Sequence, residues 1–172
     1  MKTFICNICG DAYLGTEAPS KCPFCGADRN YIKSGEEARP VFKRDGEISE
    51  LSRKNLLETL NLEMRANAIY LCMAEKTDSY EIKAMYKRLA KVELEHASIV
   101  TKFLGIQMPE IGQEVCSEDE VENFKKTVEL EENASGLYSK FSKEASEEKL
   151  KVFFTALMKA EIEHIDLIKN YL

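Results

Sequence analysis

The sequence predicts a mainly helical protein in which a small cysteine-rich metal-binding module precedes an antiparallel four-helix bundle. Three observations lead to this fold class. Four of the six cysteines occur in the first 25 residues as two Cys-x-x-Cys pairs, four helical segments follow from residue 49 onward, and the two halves of the helical region repeat each other. The 172 residues, 44% hydrophobic and 31% charged, are typical of a folded chain rather than a disordered one.

The charge balance argues against nucleic acid and anionic membranes as binding partners. The chain has 24 Lys and Arg against 30 Asp and Glu, a formal charge of −6, so it offers no basic face to nucleic acid or to an anionic membrane. No apolar run reaches the length of a membrane span, and no signal-peptide core follows Met1. We therefore expect a cytoplasmic protein without nucleic-acid or membrane partners.

Residues 1–34 form the predicted metal module, with short β-prone pieces at 3–5 and 30–32. Both Cys-x-x-Cys pairs are followed by glycine, and 12 residues separate the pairs. Four thiolates on two such turns predict a closed tetrahedral site, and the spacing alone does not choose between structural zinc and redox-active iron. The predicted ligands are Cys6, Cys9, Cys22 and Cys25. Residues 35–48, which mix Gly, Pro and charges, are predicted to be a linker with little to bury.

The region 49–172 is predicted to hold four helices, over 52–76, 78–104, 117–145 and 146–172. Capping boxes of Asp78 with Glu81 and of Ser117 with Glu120 open the second and third helices, and Ser146 caps the fourth.

The hairpins 49–104 and 117–172 superpose at an offset of 68 residues without a gap, which indicates an internal duplication. Two like hairpins related by a pseudo-twofold axis make a four-helix bundle whose second connection, 105–116, must cross the bundle. Twelve extended residues reach about 40 Å, against roughly 37 Å for a 25-residue helix. The crossover is just long enough within one chain, and an exchange of hairpins between two chains would relieve it.

Each hairpin supplies one Glu from its first helix and a Glu-x-x-His from its second. Residues three apart share a helix face, so four carboxylates and two imidazoles are predicted to converge. Buried carboxylates without cations would repel one another, and this ligand set therefore predicts two metal ions, iron or manganese. The predicted ligands are Glu63, Glu93, His96, Glu131, Glu161 and His164.

Two tyrosines, Tyr70 and Tyr138, each lie two helical turns after the first Glu of their hairpin. Their hydroxyls either orient a ligand carboxylate of the opposite hairpin or pack in the core. Glu95 and Glu163 are expected to point away from the metals. The two remaining cysteines, in positions 72 and 116, have no ligand at metal-site spacing and are interpreted as small, partly buried thiols.

Together these motifs resemble the rubrerythrins. The cysteine pairs are similar to their rubredoxin domain, and Glu63 with Glu93-x-Glu95-His96 and its repeat are similar to their ferritin-like di-iron domain. The order, rubredoxin-like module first, resembles that of the reverse rubrerythrins. The resemblance implies one iron on the four cysteines and two irons in the bundle, bridged by Glu93 and Glu161, with the other four residues as terminal ligands.

The resemblance also implies a function: a cytosolic non-haem di-iron peroxidase that defends the cell by reducing hydrogen peroxide, and in some members dioxygen, to water. Electrons would come from an external NAD(P)H-linked reductase or a separate rubredoxin, and pass through the four-cysteine iron. A homodimer is expected, head-to-tail or hairpin-swapped, in which the four-cysteine iron of one chain passes electrons to the bundle of the neighbouring chain. One departure is Ala134, which stands where typical rubrerythrins carry an additional glutamate. A more symmetric site, with His96 bound in both oxidation states, is therefore expected.

Two rival functions remain at this point. In the first, the bundle is a ferroxidase that detoxifies iron and the cysteines hold structural zinc. In the second, the protein is a redox or peroxide sensor that signals through a partner without cycling. A dimanganese site is also compatible with carboxylate and imidazole ligands, and zinc can substitute at either site.

Overall fold

A computed structural model of the chain describes residues 1–43 and 46–172. The N-terminal module contains a three-stranded antiparallel sheet in the order β2-β1-β3, with β1 at Lys2–Cys6, β2 at Ala12–Gly15 and β3 at Ile32–Ser34. A single 3-10 turn, Arg29–Tyr31, leads into β3. The β-prone pieces at 3–5 and 30–32 correspond to β1 and to the turn before β3.

Four long helices follow, as the fold class predicted: α1 at Glu50–Lys76, α2 at Tyr80–Leu104, α3 at Glu120–Glu144 and α4 at Glu148–Lys169. Helix α1 packs along α2, α3 packs along α4, and α1 also contacts α3. The bundle closes within one chain, because residues 106–119 cross it without helix or strand. Nowhere in the described ranges is there a helix with the length and apolar character of a membrane span.

The predicted start sites of α2, α3 and α4 were each wrong by one or two residues. Ser79, not Asp78, caps α2 by accepting a hydrogen bond from the Ile82 amide. Asp119, not Ser117, caps α3, and Glu147, not Ser146, precedes α4. At α2 and α3 several cap-competent side chains stand together, and the residue used, Ser79 or Asp119, has an extended backbone directly before the first helical turn.

Glu147 does not cap its own helix. Its carboxylate instead accepts hydrogen bonds from the Ser49 amide at 2.5 Å and the Ser52 hydroxyl at 2.6 Å, at the start of α1. Helix α2 ends as predicted at Gly105, which takes the left-handed conformation (φ 63°) and donates its amide to the Thr101 carbonyl. Helix α4 stops at Lys169 rather than at 172.

The small module and the bundle share one hydrophobic core. The four cysteines and Ile8 pack in the same cluster as Leu56, Phe153 and Leu157 of the bundle. Gly26 brings the second cysteine turn against α4, where a Cβ in its place would lie 3.4 Å from that of Ala160. The module is therefore seated on the bundle rather than tethered beside it.

The predicted linker contributes to the contact between the module and the bundle, contrary to the expectation that it has little to bury. Val41 is 8% exposed, belongs to the same cluster, and donates its amide to the Asn7 carbonyl. Phe42 and Ile48 pack against that cluster. Two residues of this segment, Arg44 and Asp45, lie outside the described residues.

The interpretation of the last two cysteines as free thiols was wrong, because Cys72 and Cys116 form a disulfide with Cα atoms 6.0 Å apart. The bond joins the C-terminal part of α1 to the end of the crossover. Arg65 and Glu114 form an ion pair across the same two segments. The crossover is therefore attached covalently to the first helix.

Candidate metal centres

The four-cysteine site is built by two similar turns. The Gly10 amide donates to the Cys6 carbonyl at 2.8 Å, and the Gly26 amide donates to the Cys22 carbonyl at 3.0 Å. Both glycines have positive φ, 85° and 73°, a conformation that side chains other than glycine rarely adopt. Each turn thereby brings both of its cysteines to one point.

The sulfur positions match a tetrahedral metal site. Cys6 and Cys25 have their Sγ atoms 3.8 Å apart, and those of Cys9 and Cys22 are 3.7 Å apart. Metal–sulfur bonds of about 2.3 Å in a tetrahedron require sulfur–sulfur edges of about 3.8 Å. All four thiols are buried, and hydrogen bonding with Cys22 raises the pKa of Cys9 while hydrogen bonding with Cys25 lowers that of Cys22. The thiols cannot all ionise unless a cation joins them, so they fit an iron ion.

The second site lies between the four helices, to which each helix contributes one carboxylate. His96 Nδ1 lies 3.5 Å from Glu63, 3.1 Å from Glu93 and 3.3 Å from Glu161. On the other side, His164 Nδ1 lies 3.3 Å from Glu93, 3.4 Å from Glu131 and 2.9 Å from Glu161. The structure thus brings together all six residues that the sequence analysis selected: Glu63, Glu93, His96, Glu131, Glu161 and His164.

These six residues divide into two four-residue clusters, each with its ligand atoms within 4.8 Å of one another. Glu93 and Glu161 belong to both clusters, whereas each histidine belongs to one. Two adjacent positions that share two carboxylates and have one imidazole each are the arrangement of a dimetal carboxylate centre.

Burial shows that this centre is incomplete without cations. Glu93, Glu161 and His96 are fully buried. Among the described residues, however, neither the two carboxylate oxygens of Glu93, nor those of Glu161, nor His96 Nδ1 has a hydrogen-bond partner. Burial raises the pKa of Glu93 well above its ordinary value. Burial opposes protonation of His96, but Glu161 and Glu63 outweigh it and raise the pKa of the imidazole. The buried carboxylates are therefore stable only with positive charge between them, and two iron ions fit this requirement. Without metal, protons on the two imidazoles supply the positive charge.

Two tyrosine hydroxyls support the centre from the opposite hairpin. Tyr70 on α1 donates to Glu131 Oε1 of α3 at 2.5 Å, and Tyr138 on α3 donates to Glu63 Oε1 of α1 at 2.6 Å. Both rings are buried, and burial raises the pKa of both phenols well above the ordinary value. The hydroxyls therefore remain donors and hold the two outer carboxylates in a fixed orientation.

The structure joins the two sites through a contact that the sequence analysis missed. His96 Nε2 donates a hydrogen bond to the Cys25 carbonyl at 2.9 Å. The same imidazole thus faces the carboxylate centre with Nδ1 and the four-cysteine site with Nε2. The two residues lie 71 positions apart in sequence, and no local motif indicates the contact.

Charged residues flank this junction. Lys102 donates to the Cys9 carbonyl at 3.1 Å and lies 3.7 Å from Glu95. Glu163 forms an ion pair with Lys21 of the module. Both glutamates thus make contacts with cations rather than with the carboxylate centre, although Glu95 is half-buried beside Cys9.

The fold and the two sites define a ferritin-like dimetal protein with a rubredoxin-like module. Residues 4–33 match the family described as "Rubrerythrin, rubredoxin-like domain", and residues 54–123 match "Rubrerythrin". The chain is 32% identical over 143 residues to Reverse rubrerythrin-1 of Clostridium acetobutylicum, an alignment that covers 78% of this chain and 75% of that protein. The chain belongs to the rubrerythrin family, with its two domains in the reverse order.

Among solved structures, the chain is similar to wild type KatB, a manganese catalase from Anabaena, with a TM-score of 0.62 and 18% identity. The match covers 75% of this chain and 74% of the other. At this identity the likeness shows a shared fold alone. It agrees with the ferritin-like bundle that the sequence predicted.

Proposed function

We propose that this protein is a non-haem di-iron peroxidase that reduces hydrogen peroxide to water with electrons relayed through the four-cysteine iron. The hydrogen bond from His96 to the Cys25 carbonyl carries this proposal, because it connects a one-electron site directly to a two-metal site. Peroxide reduction takes two electrons, which a metal pair can supply together and a four-thiolate iron can replace one at a time.

In this proposal Cys6, Cys9, Cys22 and Cys25 hold one iron. Glu93 and Glu161 would be shared by the two iron positions of the bundle, because they alone belong to both clusters among the described residues. Glu63 with His96, and Glu131 with His164, complete the two positions. The iron pair, when bound, supplies the electrons for cleavage of the O–O bond and a Lewis-acid surface for the peroxide.

The protein residues have three tasks around that chemistry. Tyr70 and Tyr138 hold Glu131 and Glu63 in place from the opposite hairpin. Full burial of His96 keeps bulk water away from the side that faces the relay. His164, 8% exposed, marks the side from which a molecule as small as peroxide reaches the centre.

The contact between relay and centre lies within one chain, so electron delivery does not require the neighbouring chain that the sequence analysis expected. A homodimer, a cytoplasmic location, and an NAD(P)H-linked reductase or rubredoxin as electron donor remain parts of the proposal. Dioxygen as a second substrate belongs to it as well.

An anaerobic absorption titration tests the proposal. The iron-loaded protein is fully reduced, and hydrogen peroxide is added at one equivalent per dimetal site. We expect diferric absorption at once and the red ferric-thiolate colour only as more peroxide is supplied. If ferricyanide produces no thiolate colour, the cysteine site holds zinc, internal relay is excluded, and the ferroxidase function is favoured instead.

A matched pair of variants identifies the carboxylates involved. Glu161→Gln removes a proposed bridging carboxylate, and Glu163→Gln removes an exposed carboxylate two residues away. We expect the first to lose iron from the bundle and to lose peroxide turnover, and the second to retain both. Full turnover in Glu161→Gln would contradict the proposal.

A further inference from the structure

A series of contacting aromatic rings leads from the carboxylate centre to the protein surface. Tyr70, whose hydroxyl contacts Glu131, has its ring centroid 5.9 Å from that of Tyr86. The Tyr86 ring lies 6.1 Å from Phe124, and the Phe124 ring lies 5.4 Å from Tyr171. All three spacings are those of rings in direct contact. We call these four residues the aromatic column.

The column ends at the protein surface. Tyr171 is partly exposed and donates its hydroxyl to Glu81 Oε1 at 2.7 Å, and Glu81 is exposed. Tyr86, in the middle, is 1% exposed, and its hydroxyl lies 3.3 Å from the Thr127 hydroxyl. The inner three rings are thus dry, whereas the outermost phenol meets both solvent and a carboxylate.

The internal duplication supplies a comparison within the molecule. At the offset of 68 residues, Tyr70 corresponds to Tyr138, but Tyr86 corresponds to Phe154 and Tyr171 to Phe103. Tyr138 contacts Phe154 at 6.4 Å, so rings continue on that side as well, without further phenols. Among the described residues, the ring contacts that begin at Tyr70 therefore include two further tyrosines, whereas those that begin at Tyr138 continue through phenylalanines.

Within the aromatic column, the tyrosine phenols are the groups that can lose one electron, provided that the hydroxyl proton has an acceptor. Tyr171 has one, because Glu81 accepts its hydrogen bond. A benzene ring such as Phe124 is oxidised far less readily and serves as a bridge between two phenols. Contacting rings shorten the gaps that an electron must cross.

We propose that the aromatic column is a second electron route, by which Tyr171 oxidises small hydrogen-atom donors such as phenols or ascorbate at the surface. This inference rests on the proposed peroxidase function, because hydrogen peroxide is the oxidant. It assigns Tyr86 and Tyr171 a role in electron transfer that is separate from the four-cysteine relay.

Reduction of hydrogen peroxide to two waters consumes two electrons and two protons, while the relay delivers one electron at a time. When only one electron has come from the relay, Tyr171 supplies the second and its phenolic proton passes to Glu81, while the two protons consumed with the peroxide come from solvent. A hydrogen-atom donor then returns an electron and a proton to Tyr171, Glu81 releases its proton to solvent, and the donor leaves as its radical.

Rapid freeze-quench EPR on the iron-loaded protein tests the column. The protein, labelled with ring-deuterated tyrosine, is reduced with one electron per chain, mixed with excess hydrogen peroxide and frozen. We expect a tyrosyl radical at Tyr171 that narrows on deuteration and disappears when ascorbate is added. Fully reduced samples mixed with only one equivalent of hydrogen peroxide per dimetal site are expected to give at least tenfold less radical, because the metal pair then supplies both electrons.

Three conservative variants locate the radical. Tyr171→Phe should abolish the surface signal, and Tyr86→Phe should lower its yield at least tenfold. Tyr80→Phe is the matched control, because Tyr80 is 87% exposed and has no ring contact within residues 1–43 and 46–172. All three changes remove only a hydroxyl, and equal thermal midpoints establish that the variants are folded.

The outcomes separate the two proposals. If peroxide is consumed but the radical yield is the same in all variants, the electron route through the aromatic column is refuted and the peroxidase function is not. The same conclusion holds if peroxide is consumed and the wild type forms no radical. Failure to consume peroxide in the fully reduced wild type overturns both. A radical lost in Tyr171→Phe and Tyr86→Phe, and retained in Tyr80→Phe, supports the column.

Discussion

Removing the disulfide between Cys72 and Cys116 is expected to destabilise the protein by several kilocalories per mole. The bond closes a segment with a sequence separation of 44 that includes all of α2 and most of the crossover. The loop-closure entropy of a segment of this length corresponds to about 4 kcal/mol at 25 °C. The loss arises chiefly in the unfolded chain, which gains freedom once the crosslink is gone, so the folded helices should be unchanged.

Urea unfolding, followed by helical circular dichroism, measures this effect. The double variant Cys72→Ser with Cys116→Ser is compared with the oxidised wild type at equal metal content. With a denaturant dependence of about 2 kcal/mol/M, typical of small proteins, the midpoint should fall by about 2 M. Wild type whose disulfide has been reduced should match the double variant.

A difference below about 1 kcal/mol between oxidised wild type and the double variant would refute this reasoning. It would mean that the crossover segment is already restrained in the unfolded chain or that the bond strains the folded one. A large effect in the double variant that reduction of the wild type does not reproduce would indicate damage by the serines instead.

Three further results are expected. Glu147→Gln should destabilise the protein by about 1 kcal/mol near pH 7, since it weakens the hydrogen bonds that hold the start of α1. Partial burial opposes ionisation of the Glu147 carboxyl, but the hydrogen bond from the Ser49 amide outweighs burial and lowers the pKa to about 2. The difference in urea midpoint between wild type and Glu147→Gln should therefore decrease as the pH falls from about 4.5 towards 2. Phe154→Ala, in a fully buried position, should cost about 3–5 kcal/mol in chemical unfolding, and a loss below about 1 kcal/mol would show that the core collapses around the gap. Cys9→Ser should remove one metal per chain in elemental analysis and abolish ferric-thiolate absorption, whereas Cys116→Ser, outside the site, should retain both.

The helices could be predicted from the sequence because each depends on residues close in the chain. Periodic apolar positions place α1 to α4 within a few residues, and Gly105 predicts the end of α2 because a left-handed residue there needs no side chain. The caps could not be chosen in the same way, since Asp78 and Ser79 are equally able to accept a hydrogen bond. Which of them does so depends on how the preceding turn approaches the helix.

The carboxylate centre could be predicted because the duplication shows both halves of it. A Glu-x-x-His on one helix is ambiguous, but its repetition with a partner Glu at the same spacing requires convergence in a pseudo-symmetric bundle. The sequence left open whether Tyr138 orients Glu63 or merely packs. Its hydroxyl lies 2.6 Å from that carboxylate, a distance that depends on how α1 and α3 approach each other.

The sequence by itself determined the order of the carboxylate, imidazole and thiol groups along the chain, because a helix and a Cys-x-x-Cys turn each act over three or four residues. Only the tertiary structure decided that the cysteine module is seated on its own bundle, where Cys25 meets His96, and that Cys72 and Cys116 are bonded. It also decided that Tyr86 and Tyr171 line up with Tyr70 on one side of the centre. Each of these contacts joins elements far apart in the chain, and their distances follow from the packing of whole helices rather than from any local pattern.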